Sequence, residues 1–175
     1  MKHFWYFLLI ALAIQSCTAA AFDKAQPSKE KPLKSFPATL HGSWESTEES
    51  TAFYVDKVAF DDSSVTYEMN SLAPDSPQTM YLVTDSVEIR RLGNDFVFSI
   101  AGDSLWLNYI IKLPNPNELV VYGFDEDAKR YVKHYQEEDT EEGIVFVKYL
   151  ATDKEWKKLI KSPALKKMRT FKRVS

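Results

Sequence analysis

Few residues of this chain are of the kind that performs chemistry, and fewer are spaced for it. Beyond the apolar start, the histidines are His41 and His134, and the one cysteine is Cys17. His41 stands beside Gly42 at the head of a strand-like stretch, and His134 lies among Arg130, Lys133 and Tyr135, so neither belongs to a set with zinc spacing. No Gly-x-Ser-x-Gly element and no phosphate-cradling glycine loop occurs. Acids cluster as Asp125-Glu126-Asp127 and as Glu137-Glu138-Asp139 with Glu141 and Glu142. Calcium wants such oxygens, yet neither run has the sixth-position glycine and twelfth-position glutamate of an EF-hand loop. Solvated hairpin turns are the expectation. No nucleophile, base and orienting partner can be assembled, so the chain reads as no enzyme, with neither metal nor cofactor.

Cys17 is placed where a thiol has another use. Lys2 precedes the apolar run Phe4 to Ile14, which is too short to cross a hydrocarbon core of about 30 Å but suits a signal-peptide core. The run ends in Ile14-Gln15-Ser16-Cys17, which resembles the bacterial lipobox, with Gln15 departing from the usual small or aliphatic residue. The resemblance implies cleavage after residue 16 and palmitate-type acylation at Cys17. Several acyl chains hold a protein to a bilayer far better than one, at about 0.8 kcal/mol per buried methylene. An ordinary signal cut nearby, with Cys17 discarded or left as a stray thiol, is the other reading. Lipidation is favoured because no other cysteine exists for a disulfide.

Composition excludes several classes. A 45% hydrophobic, 14% aromatic chain with 5 glycines is neither disordered nor fibrous. Its net charge of -3 becomes more negative when Lys2 leaves with the signal, which argues against a nucleic-acid partner. Three segments are expected: a lipoprotein signal over 1-16, a lipid-anchored flexible tether over 17-38, and one domain over 39-175. The tether follows from the Ala, Lys, Ser and Pro of TAAAFDKAQPSKEKPLKSFPAT, which show no sustained apolar period.

From Leu40 the pattern becomes short alternating segments broken by turn residues. SVTYEMN puts Val65, Tyr67 and Met69 on one face, and DFVFSI puts Phe96, Phe98 and Ile100 on one side. NELVVY, DEDA and KRYVKHYQ read as a further antiparallel pair. About nine or ten strands result, with boundaries the least secure part. Thr152-Asp153-Lys154-Glu155 has the form of a capping box, with Trp156, Leu159 and Ile160 at helical spacing. Ser162-Pro163 looks like a second helix start, and a final strand runs from Met168 to Val174.

Leu40-His41-Gly42-Ser43-Trp44 contains a Gly-x-Trp element. With the meander, the late helix and the terminal strand, it resembles lipocalins and the wider calycin group, in particular bacterial lipocalin-like lipoproteins. The resemblance implies an all-β, antiparallel up-and-down barrel with one C-terminal helix before the last strand. It also implies that Trp44 packs across the closed end under a basic side chain, Arg173 or, second, Arg169, so that Gly42, Trp44 and Arg173 close the barrel. Loop lengths put EESTA, SLAPDSPQ, LPNPN and EEDTEE at an open mouth and DDS, TDS, GD and DED at the other end. If Tyr81 to Arg90 is one strand, that parity flips.

Alternation sends Tyr67, Phe98, Trp106 and Tyr131 toward the interior as ligand-binding candidates. Small barrels are either filled or hold one ligand, and strand number does not decide. The first expectation is therefore an envelope protein, anchored in the membrane by its N-terminal lipid and of the two membranes in the outer one, that binds a small hydrophobic or amphipathic ligand. The alternative is a structural or interaction lipoprotein with a filled barrel and an envelope protein as partner. Lys154, Lys157, Lys158, Lys161, Lys166 and Lys167 lie opposite the apolar face of the helix, as the wet side of a packed helix or as a face for anionic headgroups.

Overall fold

The computed structural model describes residues 18–48, 55–69, 79–82, 86–102, 105–139 and 145–174. Two meanders form its frame. One runs through β2 (Gly42–Ser46), β3 (Val55–Phe60), β4 (Ser64–Met69) and β5 (Thr79–Leu82), each antiparallel to the last. The other runs through β6 (Val87–Leu92), β7 (Asp95–Ala101), β8 (Trp106–Asn115) and β9 (Glu118–Phe124). The last strand, β12 (Leu165–Val174), lies between β9 and β2 and joins the two meanders.

Turn chemistry explains where these strands stop. Asp61 Oδ1 accepts from the amides of Ser63 (2.9 Å) and Ser64 (2.7 Å), reversing the chain between β3 and β4. The Ser64 hydroxyl bond and those two amides also hold the Asp61 carboxyl below its ordinary pKa. Between β6 and β7, Gly93 takes φ +64, a conformation that other residues enter at a cost.

A smaller layer covers the outer face of the second meander. Strand β1 (Thr18–Phe22) runs parallel to β11 (Val145–Tyr149) and meets β8 where Phe22 pairs with Trp106. Strand β10 (Tyr135–Asp139) pairs antiparallel with β11. A 3-10 turn (Glu126–Arg130) and helix α1 (Asp153–Leu159) complete the layer. Its core joins Phe22, Tyr149, Trp156 and Leu159 to Val97 and Ile110, while the opposite face of the same strands packs Phe96 and Ile111 against Trp44, Leu119 and Phe171. Leu107 through Ile111 are consequently all buried, because β8 is covered on both faces.

Helix α1 carries the capping box. The Thr152 hydroxyl accepts from the Glu155 amide, and Glu155 Oε2 accepts from the Thr152 amide (2.9 Å). A single helix results. The Ser162 hydroxyl donates to the Leu159 carbonyl (2.8 Å) and accepts from the Ala164 amide (3.2 Å), forming a turn rather than a second helix, and β12 starts at Leu165.

Three expectations need correction. The proposed tether is anchored in the domain at several points: Phe22 and Gln26 are fully buried, and Phe36 is 1% exposed within the inner core. The Gln26 amide donates to Asn108 Oδ1 (2.9 Å) and the Leu33 amide to the Ile89 carbonyl (2.8 Å), so irregular backbone finds partners without a periodic sequence. KRYVKHYQ is not one strand, because Asp125 caps the 3-10 turn by accepting from the Asp127 amide, and extended pairing resumes only at Tyr135.

The third concerns the order of the loops, which rested on a turn at TDS. The fold is all-β and mainly antiparallel, but among the described residues β5 and β6 do not pair, and the sheet is not closed. The registers make β5 and β6 run in the same direction, so the chain does not reverse between them as a TDS turn requires. The LPNPN turn moves accordingly. Arg173 bonds both Pro116 and His41, and Gly42 pairs with Phe60, so turns 61–63 and 115–117 share one end of the frame.

Candidate functional site

At that shared end, Trp44 is fully buried and donates its indole N–H to the Leu40 carbonyl (2.8 Å). Arg173 pairs with Trp44 across β12 and β2 and lays its guanidinium 4.1 Å from the ring centroid. Such stacking contributes about 0.5–2 kcal/mol. The same guanidinium donates to the carbonyls of Thr39 (3.0 Å), Pro116 (3.0 Å) and His41. Gly42 has φ +112, and a Cβ there would sit 2.9 Å from Arg173 Nη1. Glycine therefore serves both the backbone turn and the seat of the guanidinium. His41 bonds the Phe36 carbonyl (2.9 Å) and lies 3.5 Å from Asp62, which makes it part of this strapping.

The strand period of two carries the inner face of β12 from Arg173 through Phe171 to Arg169. Arg169 is 6% exposed. Its Nε donates to the Ser46 hydroxyl (2.8 Å) and its Nη2 to Asp56 Oδ1 (3.0 Å), an ion pair in which Arg169 is buried and Asp56 partly open. Tyr67, Phe98 and Val121 face the same interior from β4, β7 and β9, and all are only partly buried. Phe98 stands opposite Tyr109 of β8, whose phenol burial pushes above its ordinary pKa and so keeps neutral. The Phe36 ring, supplied by the N-terminal segment, lies 6.1 Å from Phe98.

The four ligand-binding candidates do not converge. Tyr67 and Phe98 share the inner core. Trp106 does not: it pairs with Ala101 and lies one residue out of phase with Leu107 and Tyr109, which puts it on the outer face of β8. Tyr131 follows the 3-10 turn and packs with the outer layer. Sequence reading assigned Arg169 only to the Trp44 end and missed Asp56 and Phe36. The alternation Arg169-x-Phe171-x-Arg173 was the signal for the first, whereas nothing local marked Phe36 as a core residue. Cys17 lies outside the described residues.

Tyr131 instead borders an open cleft of about 810 Å³ with Lys29, Asp153, Lys157, Lys161 and Pro163. Glu155, on the same helix, accepts from the Thr152 hydroxyl (2.6 Å), the Thr152 amide and the Lys133 amide (2.8 Å), which pull its pKa down to about 2. Among the described residues, no group of three or more His, Cys, Asp and Glu side chains is gathered as metal ligands would be, and no helix is long and apolar enough to cross a membrane. No family model, curated protein or solved structure matches the chain.

Proposed function

We propose that the protein is a lipocalin-like lipoprotein of a bacterial envelope, acylated at Cys17, that holds a small amphipathic molecule inside its sheet. One observation carries the reading. Tyr67, Phe98 and Val121 come from three strands, are only partly buried on the inner face, and stand on the same face as buried Arg169, which pairs with partly open Asp56. Apolar walls with a few placed polar groups are the usual make-up of a small-molecule site. The ligand's polar head would meet Arg169, and its body would lie against Phe98 and Val121. The role proposed is binding; among the described residues no nucleophile, base and orienting partner are brought together.

Parity supports a cup. Running in the same direction with few residues between them, β5 and β6 fit two halves of one wall position, which leaves eight antiparallel positions around a ring. The Gly42-x-Trp44 strand and the terminal strand lie side by side, as the lipocalin resemblance implies. The anchor is supported by Ile14-Gln15-Ser16-Cys17 after an apolar run. With β1 starting at Thr18, an anchored domain would sit directly on its bilayer.

A fluorescent amphipathic probe such as anilinonaphthalene sulfonate tests the pocket. Saturable binding that is lost in Phe98→Trp, which fills the space, and weakened about tenfold in Arg169→Met supports the reading. Binding that is absent, or unchanged in both variants, overturns it. Incorporation of labelled palmitate that disappears in Cys17→Ser tests the anchor separately.

A further inference from the structure

Several surface lysines sit against acids: Lys57 against Glu45, Lys129 against Glu137, Lys166 against Asp125 and Lys167 against Glu48. Around the cleft beside α1 this pattern breaks. Among the described residues, Lys154, Lys157, Lys158 and Lys161 are exposed and none has an acid within ion-pair distance. The cleft's own acid, Asp153, is already held by Lys29 (3.1 Å) and by the Ser28 hydroxyl (2.5 Å), which keep its carboxyl below the ordinary pKa. Spacings of three and four residues put these lysines on neighbouring positions of the helix and the turn after it, where like charges repel. Lys157 and Lys158 complement the dipole in the last turn of α1, but the four lysines together concentrate positive potential in a chain of net charge -3.

We infer that this cleft is a second binding site, distinct from the inner face, for a small soluble ligand bearing two or more phosphate groups. The ligand chemistry follows from the lining. The cations are all lysine, which binds phosphate as a compact point charge. Tyr131 with Pro163 supplies a partly apolar wall. A volume of about 810 Å³ suits a small molecule.

Two features favour a soluble phosphate over lipid headgroups. The site is concave, whereas a bilayer presents a plane. Placement argues the same way: β1 and β11 run parallel, Cys17 precedes the Thr18 end of the pair, and α1 follows the Tyr149 end. At about 3.3 Å per residue, the five residues of β1 separate the two ends by about 16 Å, beyond a Debye length of about 8 Å. With β1 directed away from the bilayer, a membrane holding Cys17 would lie beyond screening distance of the cleft.

The test is titration of the full chain with inorganic tripolyphosphate, followed by amide chemical shifts and by calorimetry at two salt concentrations. Saturable binding with shifts confined to Tyr131, Ser162 and α1, weakened at least tenfold in Lys157→Gln/Lys161→Gln and about threefold in Lys158→Gln, is expected. Exposed Lys172→Gln on β12 leaves affinity unchanged, and a constant near-ultraviolet dichroism spectrum shows that each variant is folded. The inference fails if tripolyphosphate does not saturate, if Lys172→Gln weakens it equally, or if phosphatidylglycerol vesicles bind through these lysines while tripolyphosphate does not. Anilinonaphthalene sulfonate binding at the inner face is unaffected either way, so this site and the proposed pocket stand or fall separately.

Discussion

Arg173 and Arg169 lie four residues apart on one face of one strand, yet they are held in opposite ways. Arg173 spends its guanidinium on three backbone carbonyls and an indole face, groups that cannot leave. Arg169 is held by a hydroxyl and by the carboxylate of Asp56, side chains that can move, in a region where neighbouring aromatics are still partly open. Fixed dipoles with no open volume make a clasp. A partly open counter-ion beside partly exposed aromatics is the feature on which the proposed binding reading rests. Position on a strand sets which way a side chain points, and its partners set whether it is structural or available.

The largest effect that would test this contrast is at the clasp. Trp44→Ala removes a fully buried side chain and its bond to Leu40, and should cost about 3–5 kcal/mol in urea unfolding. A loss below about 1 kcal/mol would show that the end is not closed by this ring. Next comes Arg173→Met, expected to destabilise by about 2–3 kcal/mol because the carbonyls of Thr39, His41 and Pro116 lose a charged donor, with probe affinity at the inner face unchanged. Lysine at 173 should not restore it, since one ammonium cannot reach several carbonyls while covering the indole.

Arg169→Met should reverse that pattern. It changes stability less, because partly open Asp56 can be rehydrated, and it weakens amphipathic ligand binding about tenfold. Equal behaviour of the two arginine variants in both measurements would erase the distinction. The smallest effect lies away from both. Thr152→Ala should cost about 1 kcal/mol by removing the cap of α1. Glu155 titrates near 2 when folded against an ordinary 4.5, so its stabilisation is fully present above pH 4.5 and is lost as pH falls toward 2. Glu155→Gln should flatten that limb of the stability profile, as read by urea unfolding between pH 5 and pH 2.

Local pattern carried much of the frame. SVTYEMN alternates because it covers one buried face, the one that meets Trp44, and Phe96 and Phe98 of DFVFSI share that interior while Val97 packs into the outer layer. The capping box could be read because it is complete within Thr152 to Glu155. Trp106 shows where this stops. In LWLNYII every side chain from Leu107 to Ile111 is buried, so hydrophobicity has no period and the phase of Trp106 cannot be found without the partner strand. Phe22 and Phe36 show it again, since their segment looks like a linker until Tyr149 and Phe98 are brought beside it.

The sequence alone determined the all-β class, the Asp61 turn, the capped helix and the Gly-x-Trp strand, because each depends on residues within a few positions of one another. Tertiary structure decided which arginine covers Trp44, that β1 is a strand, that Tyr131 belongs to a lysine-lined cleft, and that Asp56 opposes Arg169. Those outcomes depend on pairs separated by up to more than a hundred residues, such as Asp56 and Arg169. Strand periodicity fixes a side chain's face but says nothing about which distant strand lies beside it, so only the assembled registers could supply them.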